Sequence, residues 1–273
     1  MALDIGSTFI FGGTAGVGSV DTDSDAAALI ARMSTPPDAT RAALINALVV
    51  SLKAAGVWGK LDVLYVLAAA DAQAARLNWK SSSYDLTAVN SPTFTVDRGY
   101  AGDGATSYLR TNYIPSSNGA SYLQNSAHAG VWDRTSRATA DVAALGARQG
   151  SANVLALYPR DALSGAIRGE INGADASPSV SIASSVGHSV TSRTGASAGA
   201  IYRNGANLGG TLPTSSTPPN REVYVCCRNN AGTPSQFTTD QLAAIHLGGG
   251  LNDAEALALY TALNTYLTAV GAA

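Results

Sequence analysis

From residue 61 to residue 247 the chain is built of short runs in which apolar and polar residues alternate, separated by Gly, Asn, Asp and Pro. This period of two constrains the fold more than any other feature. Side chains on a strand point alternately to opposite faces, so each run reads as a strand with one face buried. Candidate strands are residues 61–67, 93–100, 107–113, 128–134, 142–147, 154–158, 166–171, 180–183, 188–192, 198–203, 221–228 and 242–247. Many strands at about ten-residue spacing, with turn residues between them, indicate an all-β sandwich or barrel. A parallel α/β sheet would need helices between the strands, and this region contains none of sufficient length.

Helical signals occur only at the two ends. Residues 1–22 are rich in Gly and Thr, and Ile10 and Phe11 could close a short strand. A first helix is expected from about Asp25 to Met33, with Leu29, Ile30 and Met33 on one face. Thr35-Pro36-Pro37-Asp38 then predicts a stop and a restart, with Thr35 as cap, Pro36 at the first helical position and Asp38 at the third in a capping-box variant. Leu44, Ile45, Leu48, Val49 and Leu52 form one apolar stripe at the helical period, and Gly56 ends it. A closing helix starts at Asn252, with Glu255 completing a capping box. It carries Tyr260, Leu263, Leu267 and Val270 on one face and stops at Gly271. The expected division is an arm and helix pair over residues 1–58, serving anchoring or oligomerisation, and a sandwich over residues 59–273.

Charge narrows the function classes. Only 13% of the 273 residues are charged, against about 25% in an ordinary soluble domain, while 46% are hydrophobic. That balance argues against disorder. It also suggests either surface buried against other chains, hence a homo-oligomer or a larger assembly, or a β-rich surface of small polar residues. The first is preferred in part, because an isolated domain keeps more charge for solubility. The net charge of −2 and singly scattered Arg residues give no nucleic-acid footprint. No run of 18 apolar residues predicts a membrane span, and the first residues carry no basic region followed by an apolar core, so folding in a cytoplasm is expected. Cys226 and Cys227 are adjacent and point to opposite faces of a strand, which predicts two reduced thiols, one of them buried. No Cys or His spacing of the zinc-binding kind is present.

Three local patterns carry a family resemblance. Gly102-Asp103-Gly104-Ala105-Thr106-Ser107-Tyr108-Leu109 is a glycine turn leading into an aromatic-apolar strand. Ile201-Tyr202-Arg203-Asn204-Gly205-Ala206-Asn207-Leu208 is a hairpin with an Asn-Gly turn. Ala244-Ile245-His246-Leu247 runs through Gly248, Gly249 and Gly250 into the capped helix. Together they resemble concanavalin A-like, laminin-G-like modules. The resemblance implies a mostly β fold: an antiparallel jelly-roll β-sandwich with a small N-terminal helical segment and a short C-terminal helix. The stretches Trp58-Gly59-Lys60-Leu61-Asp62-Val63-Leu64-Tyr65-Val66, Asp71 to Trp79 and Ala88 to Tyr100 are in turn similar to structural proteins of tailed bacteriophages and prophages. That similarity implies a virion component made in the host cytoplasm: a tail, fibre, spike or head-attached protein. Other virion proteins would be its partners, and a host surface glycan its ligand.

Candidate chemistry is sparse. Phe11-Gly12-Gly13-Thr14-Ala15-Gly16-Val17-Gly18 is close to the glycine loop of short-chain dehydrogenases, but Phe11 replaces the family's Thr. Asp21, Asp23 and Asp25 follow it and would repel a pyrophosphate, and no Tyr has Lys four residues on. A glycosidase on the concanavalin A-like fold needs paired carboxylates, about 5 Å apart for retention. Glu170, Glu222 and Glu255 stand isolated in sequence. His128, His188 and His246 fall in three different strands and read as half-buried strand histidines. Asp97 and Asp103 could meet calcium at a rim, though Asp in turns is the commoner use. Trp79, Tyr84, Trp132 and Tyr158 could stack on sugars, with Trp58 and Trp79 better placed as core. The reading assigns no catalytic, cofactor-binding or metal residue and expects a non-enzymatic protein, the alternative being a glycan-active hydrolase on the same fold.

Overall fold

The computed structural model describes residues 22–136, 141–161, 164–174 and 178–273. The Phe11–Gly18 glycine motif lies outside the described residues. In chain order the elements are α1 (Ser24–Ile30), α2 (Ala39–Ala54), β1 (Leu61–Val66), β2 (Thr87–Val89), β3 (Thr93–Thr95), β4 (Gly99–Ala101), β5 (Tyr108–Arg110), α3 (Pro115–Asn118) and β6 (Ala127–Asp133). They continue with β7 (Leu145–Gly150), β8 (Asn153–Asp161), β9 (Ala166–Gly173), β10 (Ser179–Ser181), β11 (Gly187–Arg193), β12 (Gly199–Arg203) and β13 (Ala206–Asn207). The last are β14 (Tyr224–Val225), β15 (Arg228–Asn230), β16 (Thr233–Ser235), β17 (Gln241–Gly248) and α4 (Asp253–Ala269).

The strands form two large sheets, as the period of two requires. The first runs β13-β12-β11-β6-β17-β4-β3, with β1 also paired to β17. The second runs β10-β9-β8-β7-β14-β5-β2 and carries β15 and β16. Pairing is antiparallel except for a short parallel contact of β15 with β7. No helix among the described residues crosses between parallel strands.

Alternation along each strand divides the apolar residues into two layers. Tyr65, Val131, Ile245 and Leu247 of the first sheet face Leu109, Leu145, Leu155, Leu157 and Val225 of the second. On the other side of the first sheet, Leu64, Trp132, Val190 and Ala244 meet Leu29, Ile45, Leu48, Leu52, Leu259, Leu263 and Leu267 of α1, α2 and α4. The helices at the two chain ends therefore share one layer on the outside of the first sheet. A register shift between Leu242 and Ala244 on β17 turns Leu242 inward and Ala244 outward. Arg193 crosses between the sheets, wholly buried, and donates to the carbonyls of Ile171, Gly195, Ala196 and Pro213.

Turn chemistry matches the sequence where the residue demands it. Asn204 and Gly205 both have positive φ (48° and 78°), the requirement of a type I′ hairpin. Asn252 and Glu255 form the expected capping box, and Gly271 follows α4 at φ 73°.

Four expectations need correction. The cap of α2 is Asp38, which accepts from the Arg41 N–H, and not Thr35. Pro37 holds Pro36 extended, which excludes Pro36 as the first helical residue. The run 93–100 is a hairpin, β3 and β4, turned at Asp97 with φ 53°. The run 221–228 is broken between β14 and β15, where Cys226 has φ 65°. Both cysteines, not one, are buried and free: Cys226 between the sheets, Cys227 on the opposite side with Tyr108 and Tyr224.

Candidate functional site

The residues singled out by sequence mostly take structural roles. Trp79 is buried edge-on against Tyr266, and Tyr84 packs against Tyr113. Trp132 is buried between the first sheet and α4, stacked on Tyr260 at 5.7 Å. Trp58 is buried beneath the Lys80 ammonium, 4.0 Å from its ring. Asp97 is paired with Arg41 at 2.7 Å. Asp103 accepts from the N–H groups of Ala105, Thr106 and Ser107 and from the Thr106 hydroxyl, which holds its carboxyl well below the usual range. Both carboxylates are thus committed to turns and ion pairs. Among the described residues no group of three or more His, Cys, Asp or Glu is arranged to hold a metal. Glu255 is used in the capping box and by Lys60, and Glu222 by Arg110 and the Asn112 N–H.

The three histidines, expected half-buried and apart, are fully buried and in contact. β6 lies between β11 and β17, so His128, His188 and His246 all reach the layer under α4. His128 Nδ1 lies 2.5 Å from the Gly249 carbonyl, His128 Nε2 lies 3.0 Å from His246 Nδ1, and His246 Nε2 lies 2.8 Å from His188 Nε2. A carbonyl only accepts, and this fixes every tautomer of the neutral row. His128 donates to Gly249, His246 donates to His128, and His188 donates to His246. His188 Nδ1 is left as a bare acceptor with no partner. Burial lowers His128 to about 4 and His188 to about 3, and puts His246 well below its ordinary value. Gly130 makes the row possible: a Cβ there would stand 2.1 Å from His246 Cε1.

A second concentration of polar groups lies on the opposite side of the molecule, on the outer face of the second sheet. Paired residues on neighbouring strands share a face. One row across this sheet is Arg110 on β5, Tyr224 on β14, Gly146 on β7, Ala156 on β8 and Glu170 on β9. Tyr158 and Arg168 form the adjacent row, and Arg148 stands two residues beyond Gly146. Small residues thus occupy the middle of the face, with aromatic and charged side chains at its sides. Arg228 reaches in from β15. Its Cγ lies 3.0 Å from the point where a Cβ on Gly146 would stand, and its Nη1 donates to the Tyr158 hydroxyl at 3.0 Å. That hydroxyl in turn donates to Gln236 at 3.0 Å, and the Arg168 guanidinium covers the Tyr158 ring at 4.3 Å. Arg168 also bridges Asp161 at 2.7 Å and Glu170 at 3.4 Å.

Four guanidinium groups (Arg110, Arg148, Arg168, Arg228) therefore share one sheet face with three carboxylates (Asp161, Glu170, Glu222), in a chain whose net charge is negative. Of the aromatic residues expected to stack on sugars, only Tyr158 belongs to this face, and it is covered by the arginines. Sequence reading missed the cluster because each strand supplies a single Arg. Such a face can hydrogen-bond hydroxyl and carboxylate groups, since guanidinium offers five N–H donors in a fixed plane.

No family model matches the chain, and no curated protein matches it in sequence. Solved structures match in fold. A mutant Trypanosoma rangeli sialidase displaying trans-sialidase activity superposes with a TM-score of 0.54 at 16% identity, over 82% of this chain and 39% of the sialidase. The same sialidase as a covalent intermediate with 2,3-difluorosialic acid gives 0.55 at the same identity and coverage. Domain 4 of the GH43 arabinanase AbnA from Geobacillus stearothermophilus, in complex with arabinotriose, gives 0.48 at 14% identity, over 74% of this chain and 98% of that domain. The chain spans about two-fifths of the Trypanosoma rangeli sialidases, and what it shares with them is a two-layered β-sandwich, which a concanavalin A-like architecture fits.

Proposed function

We propose that this chain is a non-catalytic sandwich module that recognises a glycan and serves as a component of a bacteriophage particle, in a tail, fibre, spike or head-attached position. The glycan reading rests on the outer face of the second sheet. The Arg228 stem fills the room over Gly146, and the guanidinium, carboxylate, hydroxyl and amide groups around it suit a polyhydroxylated ligand. The sialidases with the same fold act on glycans, which agrees with this reading. The virion reading rests on the phage-like stretches around Trp58, Trp79 and Tyr100 and on the low content of charge, which suits a chain packed into a homo-oligomer or against other virion proteins.

The test is glycan-array binding by the purified chain, followed by titration calorimetry on any hit, with Tyr224→Ala and Arg168→Gln as variants of the face. Saturable binding weakened by both variants is expected. Absence of binding by the monomer and by any oligomer refutes glycan recognition. Co-sedimentation with phage particles and light scattering test the assembly role, and a chain that stays monomeric and joins no particle refutes it.

A second reading, a glycan-active hydrolase, draws on Asp161 and Glu170, two buried carboxylates reached by one guanidinium. Hydrolysis of an array hit by the parent chain, abolished in Glu170→Gln, would establish it in place of the first.

A further inference from the structure

Arg228 is 6% exposed, and its guanidinium has one hydrogen-bond acceptor among the described residues, the neutral hydroxyl of Tyr158. Its Nε is enclosed and donates to nothing. Its neighbour Arg168 has two carboxylates, and Arg110 has one. A buried cation is ordinarily paired, because desolvation without a partner costs several kcal/mol. The side chain is also held in place: Gly146 makes room for its stem, and Tyr158 fixes one end of its plane. An ordered, desolvated and unneutralised guanidinium at the centre of a polar face is arranged to receive an anion from outside the chain.

We propose that Arg228 is the docking point for the carboxylate of an acidic sugar on the outer face of the second sheet. The inference deepens the glycan-recognition reading and rests on it. Guanidinium matches carboxylate geometry through its planar N–H donors, and Nη2 is the group that is neither enclosed nor bonded to Tyr158. Sugar hydroxyls would fall toward Arg148, Arg168 and Gln236, which are half-buried. The ligand class is a carboxylate-bearing glycan, whether the acid is a uronate or a nonulosonate.

The experiment uses the full chain and four probes: 3′-sialyllactose and trigalacturonate, and their neutral counterparts lactose and maltotriose. Calorimetry measures affinity for the parent chain, Arg228→Met and Arg228→Gln, and thermal unfolding is followed without ligand. At least one acidic probe is expected to bind more tightly than the neutral probes, and which one binds identifies the acid. Both variants should weaken that binding roughly ten- to a hundredfold, the value of one charge-assisted pair. Arg228→Met should unfold at the same or a higher temperature than the parent chain, because it removes an unpaired buried charge. A purely structural arginine would give the opposite shift. Acidic probes binding no better than neutral ones, undiminished binding by both variants, or a lower unfolding temperature for Arg228→Met overturns the inference. Neutral glycans binding at this face without preference for acids would overturn it and leave glycan recognition standing. No binding of any probe or array glycan would remove both.

Discussion

Acidification from pH 7 to pH 5 should remove much of this protein's stability, through the three histidines. In the unfolded chain each imidazole takes up its proton near pH 6.5. In the folded chain burial lowers His128 to about 4 and His188 to about 3, and His246 lies well below 6.5. Between pH 6.5 and about 4 the unfolded state thus binds more protons than the folded state, so stability falls as pH falls. One such group costs about 1.9 kcal/mol between pH 7 and pH 5, at about 1.4 kcal/mol per pH unit below the unfolded value. Three groups together cost roughly 5–6 kcal/mol, comparable with the whole stability of many domains, about 5–15 kcal/mol. Urea unfolding at pH 7.5, 6.5, 5.5 and 5.0 measures this directly. Near pH 5.5 the slope should correspond to nearly three protons, about 3.7 kcal/mol per pH unit. His188→Leu should reduce it to about two. A slope below one proton in the parent chain would mean that the imidazoles are solvated or charged in the folded state, and would refute the assigned row.

Other perturbations test the packing. Gly130→Ala forces a methyl against the His246 ring and should cost at least about 1–3 kcal/mol in urea unfolding; an unchanged midpoint would show that the ring does not lie over Gly130. Arg193→Met leaves the carbonyls of Ile171, Ala196 and Pro213 without their donor between the sheets, and should cost about 3–5 kcal/mol by the same measurement. A loss under about 1 kcal/mol would mean that water replaces the guanidinium there.

The layers were legible in the sequence wherever strands are long. β6, β8, β9, β11 and β17 each contain at least five residues of alternating pattern and fall within two or three residues of their expected bounds. β2, β13 and β16 are two or three residues long, too short for any period to register. Turn chemistry was readable at Asn204-Gly205 and Asn252, where local geometry selects the residue type. It failed at Cys226, a positive-φ position that its residue type does not announce. The polar clusters could not be read at all. His128, His188 and His246 are about sixty residues apart, and only the order β11-β6-β17 brings them side by side. Arg110, Arg148, Arg168 and Arg228 come from four strands in the same way. Local periodicity tells which face a residue occupies, but it says nothing about which strands become neighbours.

The position of β17 has a consequence for how the chain is made. It follows every other described strand out of the ribosome, yet it fills the gap between β6 and β1, and Leu61 pairs with Gly248 across almost the whole length of the sandwich. Until roughly residue 250 has emerged, β1 and β6 have an unfilled edge between them, and the apolar residues they will bury stay in solvent. Folding of the first sheet is therefore deferred until β17 has been made, a high-contact-order task with a long aggregation-exposed interval. Nascent chains stalled before Gln241 should need chaperone protection, and those stalled after Ala269 has emerged should not.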